Sequence, residues 1–242
     1  MDLSEINFAV LVASLIVAST PLVLAALGEL VVEKSGVLNL GVEGMMIIGA
    51  VAGFIVGVET GSAYIGMMAA AVAGALLSLL FAFIILIMQA NQVASGLALT
   101  IFGLGIAALM GHPYTGIKSP QISTISIPIL NEIPIIGTMF FQHDLIVYIS
   151  LISVLVIWYF LNRMRAGLIL RSVGEDHDVA HSLGYRVITI RFLAIVFGGA
   201  MAGIGGGYLS LVRVPQWTEG MTAGAGWIAL ALVVFSGWRP FR

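Results

Sequence analysis

Two histidines one helical turn apart, in the run His177-Asp178-Val179-Ala180-His181, have the spacing with which a helix presents a pair of imidazoles to zinc. The residue placed to act as general base is Asp178, one methylene shorter than the glutamate that chemistry uses, and a third ligand would have to come from elsewhere. The run lies in a charged stretch, so a solvated helix face accounts for it better than an intramembrane metalloprotease centre. The glycines between Gly198 and Gly207 have no following Lys-Ser/Thr and no preceding strand, so they do not form a phosphate-cradling loop. Gly199, Gly203 and Gly207 recur every four residues, a spacing that lets another helix approach closely. There is no nucleophile-base pair, nucleotide motif or cofactor fingerprint, and with no cysteine in the chain thiolate chemistry and disulfides are excluded. Any uphill movement of a solute would draw its energy from an ion or from a partner that hydrolyses nucleotide.

The remaining chemistry-bearing side chains are polar groups set in apolar sequence. Asn39, Glu43, Asn91, Gln92, Ser95 and Glu219 fall at or near membrane depth, where polar groups are costly and tend to face a water-filled path. Glu43 and Glu219 each precede a helix start, where the helix dipole also favours a carboxylate. Trp217 fits an interfacial anchor, or a stacking platform for a ring-bearing substrate at an external mouth.

The elements that must position these groups are membrane spans. Of 242 residues, 60% are hydrophobic and 9% charged, against about 25% charged in a soluble domain. The composition describes an all-α, polytopic integral membrane protein whose 29 glycines suit close helix packing. A formal net charge of -2 gives nucleic acid no reason to bind. The opening MDLSEINF carries Asp2 and Glu5 and no basic residue, which fits a retained span rather than a cleaved signal peptide. Apolar runs at Ile6–Leu27, Gly44–Val58, Tyr64–Met88, Val93–Gly111, Leu145–Leu161, Phe192–Val212 and Gly224–Ser236 give about seven membrane segments in a single domain, 1–242. Gly28–Glu43 is too polar for an ordinary span, with Glu29, Glu33 and Lys34 in it. Four of the seven prolines fall in His112–Asp144, which reads as an external loop with a short re-entrant piece near Ile133–Phe141. Arg213–Ala223 reads as a second external loop.

The long polar interruption is Asn162–Arg191, with five arginines at 163, 165, 171, 186 and 191. Each would cost roughly 2.5–3.5 kcal/mol at the centre of a membrane helix, so this hub is expected in water. Placing it in the cytosol puts Lys34, the five hub arginines, Arg239 and Arg242 inside and leaves only Lys118 and Arg213 outside. The N-terminus is then outside and the C-terminus of this chain inside. Within the hub, Gly174 and Glu175 lead into a short helix that Asp176 caps and Gly184 ends. Finally, Glu43-Gly44-Met45 and Glu219-Gly220-Met221 precede two short apolar segments that this topology runs in opposite directions, a pointer to inverted repeats. A second repeat of that kind would continue past Arg242.

Four stretches, VEKSGVLNLGVEGMM (Val32–Met46), ANQVASGLALTIFGLG (Ala90–Gly105), VGEDHDVAHSLGYRV (Val173–Val187) and WTEGMTAGAGWIALALVVFSGWRP (Trp217–Pro240), resemble the permease subunits of bacterial ABC importers. Within that group they are most similar to the nucleoside and simple-sugar branch, related to the ribose and branched-chain amino acid permeases. The resemblance implies a two-permease channel in the bacterial plasma membrane and its lipid, a cytosolic ATPase subunit that carries the ATP and Mg, and an extracytoplasmic substrate-binding lipoprotein. No cofactor is expected in this chain itself. It also implies that the hub is the coupling loop, with Glu175, Ala180 and Gly184 at the family's positions, to which the capped-helix reading adds Gly174 and Asp176 as ATPase-coupling residues, and that relatives continue through further helices beyond the Trp-Arg-Pro segment. The alternative is an ion-coupled secondary transporter or channel that uses Glu43 and Glu219 as ion sites.

Overall fold

The structure, a computed structural model, describes residues 8–126 and 136–241. Ile6 of the expected first span, Ile133 of the expected re-entrant piece and Arg242 lie outside them. The described residues fold into helices α1 (Phe8–Lys34), α2 (Val42–Thr60), α3 (Ala63–Ala82), α4 (Gln92–Gly111), α5 (Ile136–Phe140), α6 (Leu145–Arg163), α7 (Arg165–Glu175), α8 (His177–Ser182), α9 (Val187–Tyr208) and α10 (Ala225–Phe235). A two-stranded pair, Ile125–Ser126 with Gln142–His143, is the only sheet among them. Six helices are long and apolar enough to cross a membrane, and α10 is a shorter apolar helix. The protein is an all-α polytopic membrane protein, and the described part of each of the seven apolar runs lies in a helix or its caps.

Helix boundaries depart from the apolar runs in two places, for one reason. The stretch Gly28–Lys34 does not leave the first span; it is the last two turns of α1. Glu29 is tolerated there because Asn39 folds back and donates to both its oxygens, from the backbone N–H at 3.3 Å and from Nδ2 at 3.2 Å. The hub is likewise less of a loop than its charge suggests. Asn162 and Arg163 close α6, Val187–Arg191 open α9, and α7 buries Gly167, Leu170 and Val173 against the bundle. In each case contact with protein sustains the helix: Asn39 at Glu29 in the first, and the bundle beneath the apolar face of α7 in the second.

Glycine sets the core packing. α2, α3 and α9 pack against one another, and a methyl group at Gly206 would overlap the Met46 carbonyl. The stripe Gly199, Gly203, Gly207 faces α3, where Ser78, Ala70, Gly74 and Met67 meet it. With lipid outside, such backbone-to-backbone approach, rather than hydrophobic burial, drives helix association. Leu24, Ile47, Phe54 and Tyr208 fill the centre. At one end of the bundle Asp144 caps α6, accepting from the N–H groups of Ile146 and Val147, and accepts the Tyr208 hydroxyl proton at 2.8 Å, tying α6 to α9. Residues 115–119 and 214–217 pair at that same end. At the opposite end Lys34, Arg171 and Arg239 gather around one cleft, and Arg191 bonds to the turn that follows α1. The basic residues are thus segregated, with Lys118 and Arg213 at the first end and the hub at the other.

Candidate functional site

The expected capped helix is present at the tip of the hub. The Asp176 side chain accepts from the N–H groups of Asp178 and Val179, both at 3.0 Å, so α8 starts where its free donors need an acceptor. Gly184 ends the turn at φ +87°, its N–H donating to His181. Ala180, on the inner face of α8, is buried, whereas Gly174 is half-buried and Glu175, Asp176 and Gly184 are exposed. His177 and His181 are both exposed, and the His177 ring pairs with Asp178 at 3.6 Å. Beside these polar groups the sequence reading missed an apolar patch: Val179 and Leu183 are 54% and 71% exposed, with Ile188 at 55%. Their i, i+4 spacing in a polar helix was the available signal.

This arm is seated on the turn between α1 and α2. A side chain at Gly174 would run into the Lys34 carbonyl, and one at Gly36, where φ is +84°, would meet Arg191 Nη2 at 2.9 Å and Gly174 Cα at 3.1 Å. Only glycine permits this approach at both positions. Arg191, at the start of α9, donates from Nε to the Ser35 carbonyl at 3.0 Å and ties the first turns of α9 to the same turn.

From that turn the chain runs back into the bundle as a non-helical connector, residues 35–41, before α2 begins. Five elements grip it. Glu29 of α1 holds Asn39; Gln92 of α4 accepts from the Leu38 N–H at 2.9 Å; Thr100 of α4 and the Trp227 indole of α10 both donate to the Leu40 carbonyl, at 3.1 and 3.2 Å. Gly174 of α7 and Arg191 of α9 hold its first residues.

A second non-helical segment, 214–224, descends from the far end of α9 and bonds to Glu43, just past the connector in the first turn of α2. One Glu43 oxygen accepts from Thr222 Oγ1 at 2.6 Å and from the Gly224 N–H at 2.9 Å; the other accepts from the Gly226 N–H at 2.7 Å. A carboxylate in the first turn of α2 therefore caps the N-terminus of α10, where the dipole favours negative charge. α10 then runs toward the hub end, where the Trp238 indole donates to Glu33. The full-length α2 and the shorter α10 start at one shared carboxylate and run in opposed directions.

Of the polar residues singled out in the sequence, Asn39, Glu43 and Gln92 converge on the connector. Asn91 caps α4 by accepting from the Ala94 N–H at 3.0 Å, and Ser95 sits one turn further on. Trp217 is 2% exposed and packs its indole over Gly111 near the far end, and Glu219 is exposed on the descending segment. Sequence reasoning did not single out Thr222 or Trp227 and read Arg191 only as a hub charge; the partners of all three lie more than a hundred residues away along the chain.

Comparison with known proteins agrees with this architecture. The chain is 42% identical, over 93% of its length and 70% of the relative's, to a putative glucose ABC transporter permease protein, TsgC13, of Haloferax volcanii. It is 34% identical, over 99% of its length and 79% of the relative's, to the guanosine ABC transporter permease protein NupQ of Bacillus subtilis. Against the nucleoside ABC transporter permease protein NupC of Lactococcus lactis the identity is 31%, over 96% of this chain and 76% of that one. No solved structure matches it. Residues 11–242 match the family described as branched-chain amino acid transport system / permease component, and the chain belongs to that family.

Proposed function

We propose that this chain is a permease subunit of an ATP-driven importer of nucleosides, with simple sugars as the next substrate class, worked by a separate cytosolic ATPase subunit. The relatives named for guanosine, nucleosides and glucose support the substrate class. The observation that carries the coupling is the seating of the α7–α8 arm on the α1–α2 turn through Gly174, Gly36 and Arg191. In this reading the exposed Val179 and Leu183 of α8 enter a groove of the ATPase, and Glu175 to Gly184 form the grip. ATP and Mg stay in that partner. Closure of the ATPase pair on nucleotide pushes the arm, the arm moves the connector, and the connector carries Glu43 and with it the N-terminus of α10. Two broken segments meeting at one buried carboxylate are a hinge of the kind from which alternating-access transporters are built.

A second permease subunit completes the channel and an external substrate-binding lipoprotein delivers the solute. The gathering of Lys34, Arg171, Arg191 and Arg239 at the hub end supports a cytosolic hub and an external N-terminus in a bacterial plasma membrane. Both oxygens of Glu43 already have donors, which favours a structural hinge over an ion site. The test is uptake into proteoliposomes holding the complex. Guanosine uptake that requires enclosed ATP supports the proposal; uptake driven by an ion gradient without any nucleotide refutes it.

A further inference from the structure

At the hub end a cleft of ≈ 670 Å³ opens between the last turn of α1, the end of α6, the middle of α7 and residues 237–241. Lys34, Arg171 and Arg239 line it together with Asn162, Trp158 and Trp238, and no carboxylate is among its described lining residues. Glu33 precedes Lys34 in the same α1 turn; one of its oxygens accepts from the Trp238 indole, and the other is buried without a hydrogen-bond partner. Arg171 Nε is buried without a hydrogen-bond partner. A buried guanidinium N–H left unpaired is costly, so a group that accepts from it is expected. Lys34 sits 5.9 Å from the Trp238 ring centroid, and Trp158 meets Phe241 edge-on at 5.7 Å, which places an aromatic wall beside the cations.

Three cations against one neighbouring carboxylate, with Asn162 as a further donor, suit a tetrahedral oxyanion. Guanidinium groups bind phosphate through paired N–H donors, and a tryptophan wall marks headgroup depth in a bilayer. We propose that this cleft binds a phosphate group, supplied either by the headgroup of an anionic lipid or by a soluble phosphate ester, with Arg171 as its central donor. Trp158 and Trp238 flank the phosphate and Lys34 and Arg239 close over it.

The test uses the purified transporter complex and native mass spectrometry after exchange into vesicles of phosphatidylglycerol or phosphatidylcholine, with inorganic phosphate and glycerol 3-phosphate as soluble probes. Wild type retains phosphatidylglycerol and not phosphatidylcholine. Arg171→Gln and Arg239→Gln each lower retention about fivefold, the effect of one basic residue beside an anionic lipid. Lys118→Gln at the opposite end leaves it unchanged. Arg239 is exposed, so its variant reads the site even where Arg171→Gln does not fold. Retention of a soluble probe instead of the lipid, lost in the same variants, supports the site and assigns the free anion as its source. Equal retention of both lipids with no soluble probe bound, or wild-type retention of every probe in both variants, overturns the proposal.

Discussion

Replacing Gly174 by alanine tests the transmission step without touching the surface that the ATPase would grip. The added methyl lands on the Lys34 carbonyl, with Gly36 N 3.0 Å away, so the arm has to lift off the α1–α2 turn. Overpacking of this kind costs about 1–3 kcal/mol. The Arg191–Ser35 bond, 3.0 Å long in the wild type, is strained by the same displacement. Since about 1.4 kcal/mol is tenfold in an equilibrium constant, the fraction of arms correctly seated falls roughly tenfold or more. Asp176, Val179 and Leu183 keep their positions in α8, so binding of the ATPase subunit is unchanged. The assay is guanosine uptake and phosphate release in the same proteoliposomes. The expected result is continued ATP hydrolysis with uptake per ATP about tenfold lower, on the same conversion. Unchanged uptake per ATP in Gly174→Ala would refute transmission through this contact.

Three further outcomes follow from other parts of the structure. Glu43→Ala leaves the N–H groups of Gly224 and Gly226 and the Thr222 hydroxyl without their acceptor; at about 1–3 kcal/mol for each buried unsatisfied group, thermal unfolding of the detergent-purified protein shifts well below wild type, and Glu43→Gln shifts it less. Gly206→Ala drives a methyl into the Met46 carbonyl between α9 and α2, and the cost of about 1–3 kcal/mol shows as loss of the monodisperse peak in size-exclusion chromatography. Leu183→Glu alters a side chain that is 71% exposed, so unfolding stays within about 0.5 kcal/mol of wild type while co-purification of the ATPase subunit is lost.

The parts of this protein that follow from local pattern were legible in the sequence. Seven apolar runs became seven apolar helices, Asp176 and Gly184 bracket α8, and the stripe of Gly199, Gly203 and Gly207 meets another helix. Each depends on spacing within one segment, which periodicity and capping rules read directly. Features that depend on a distant partner were not legible. Glu29 makes Gly28–Lys34 look unfit for a helix until Asn39 is seen bonded to it. The hold of Glu43 on the start of α10 shows only when its partners, 179 to 183 residues further on, are in place. Arg191 looks like a hub charge in water until it is found at Ser35, 156 residues away. Trp217 reads as an interfacial anchor but is buried because Gly111 leaves room for its indole. The polar residues that local rules place in loops are here the pins that hold broken segments together.

The claim on which the account rests is that the α7–α8 arm lies in the cytosol as the grip for an ATPase. Because the chain contains no cysteine, a single Val179→Cys substitution gives one reporter on the exposed face of α8. The measurement is its labelling by a membrane-impermeant maleimide in intact cells and in inverted membrane vesicles, with and without the ATPase subunit. The account predicts no labelling in intact cells, full labelling in inverted vesicles, and protection when the ATPase is bound. Labelling from the outside of intact cells would contradict it.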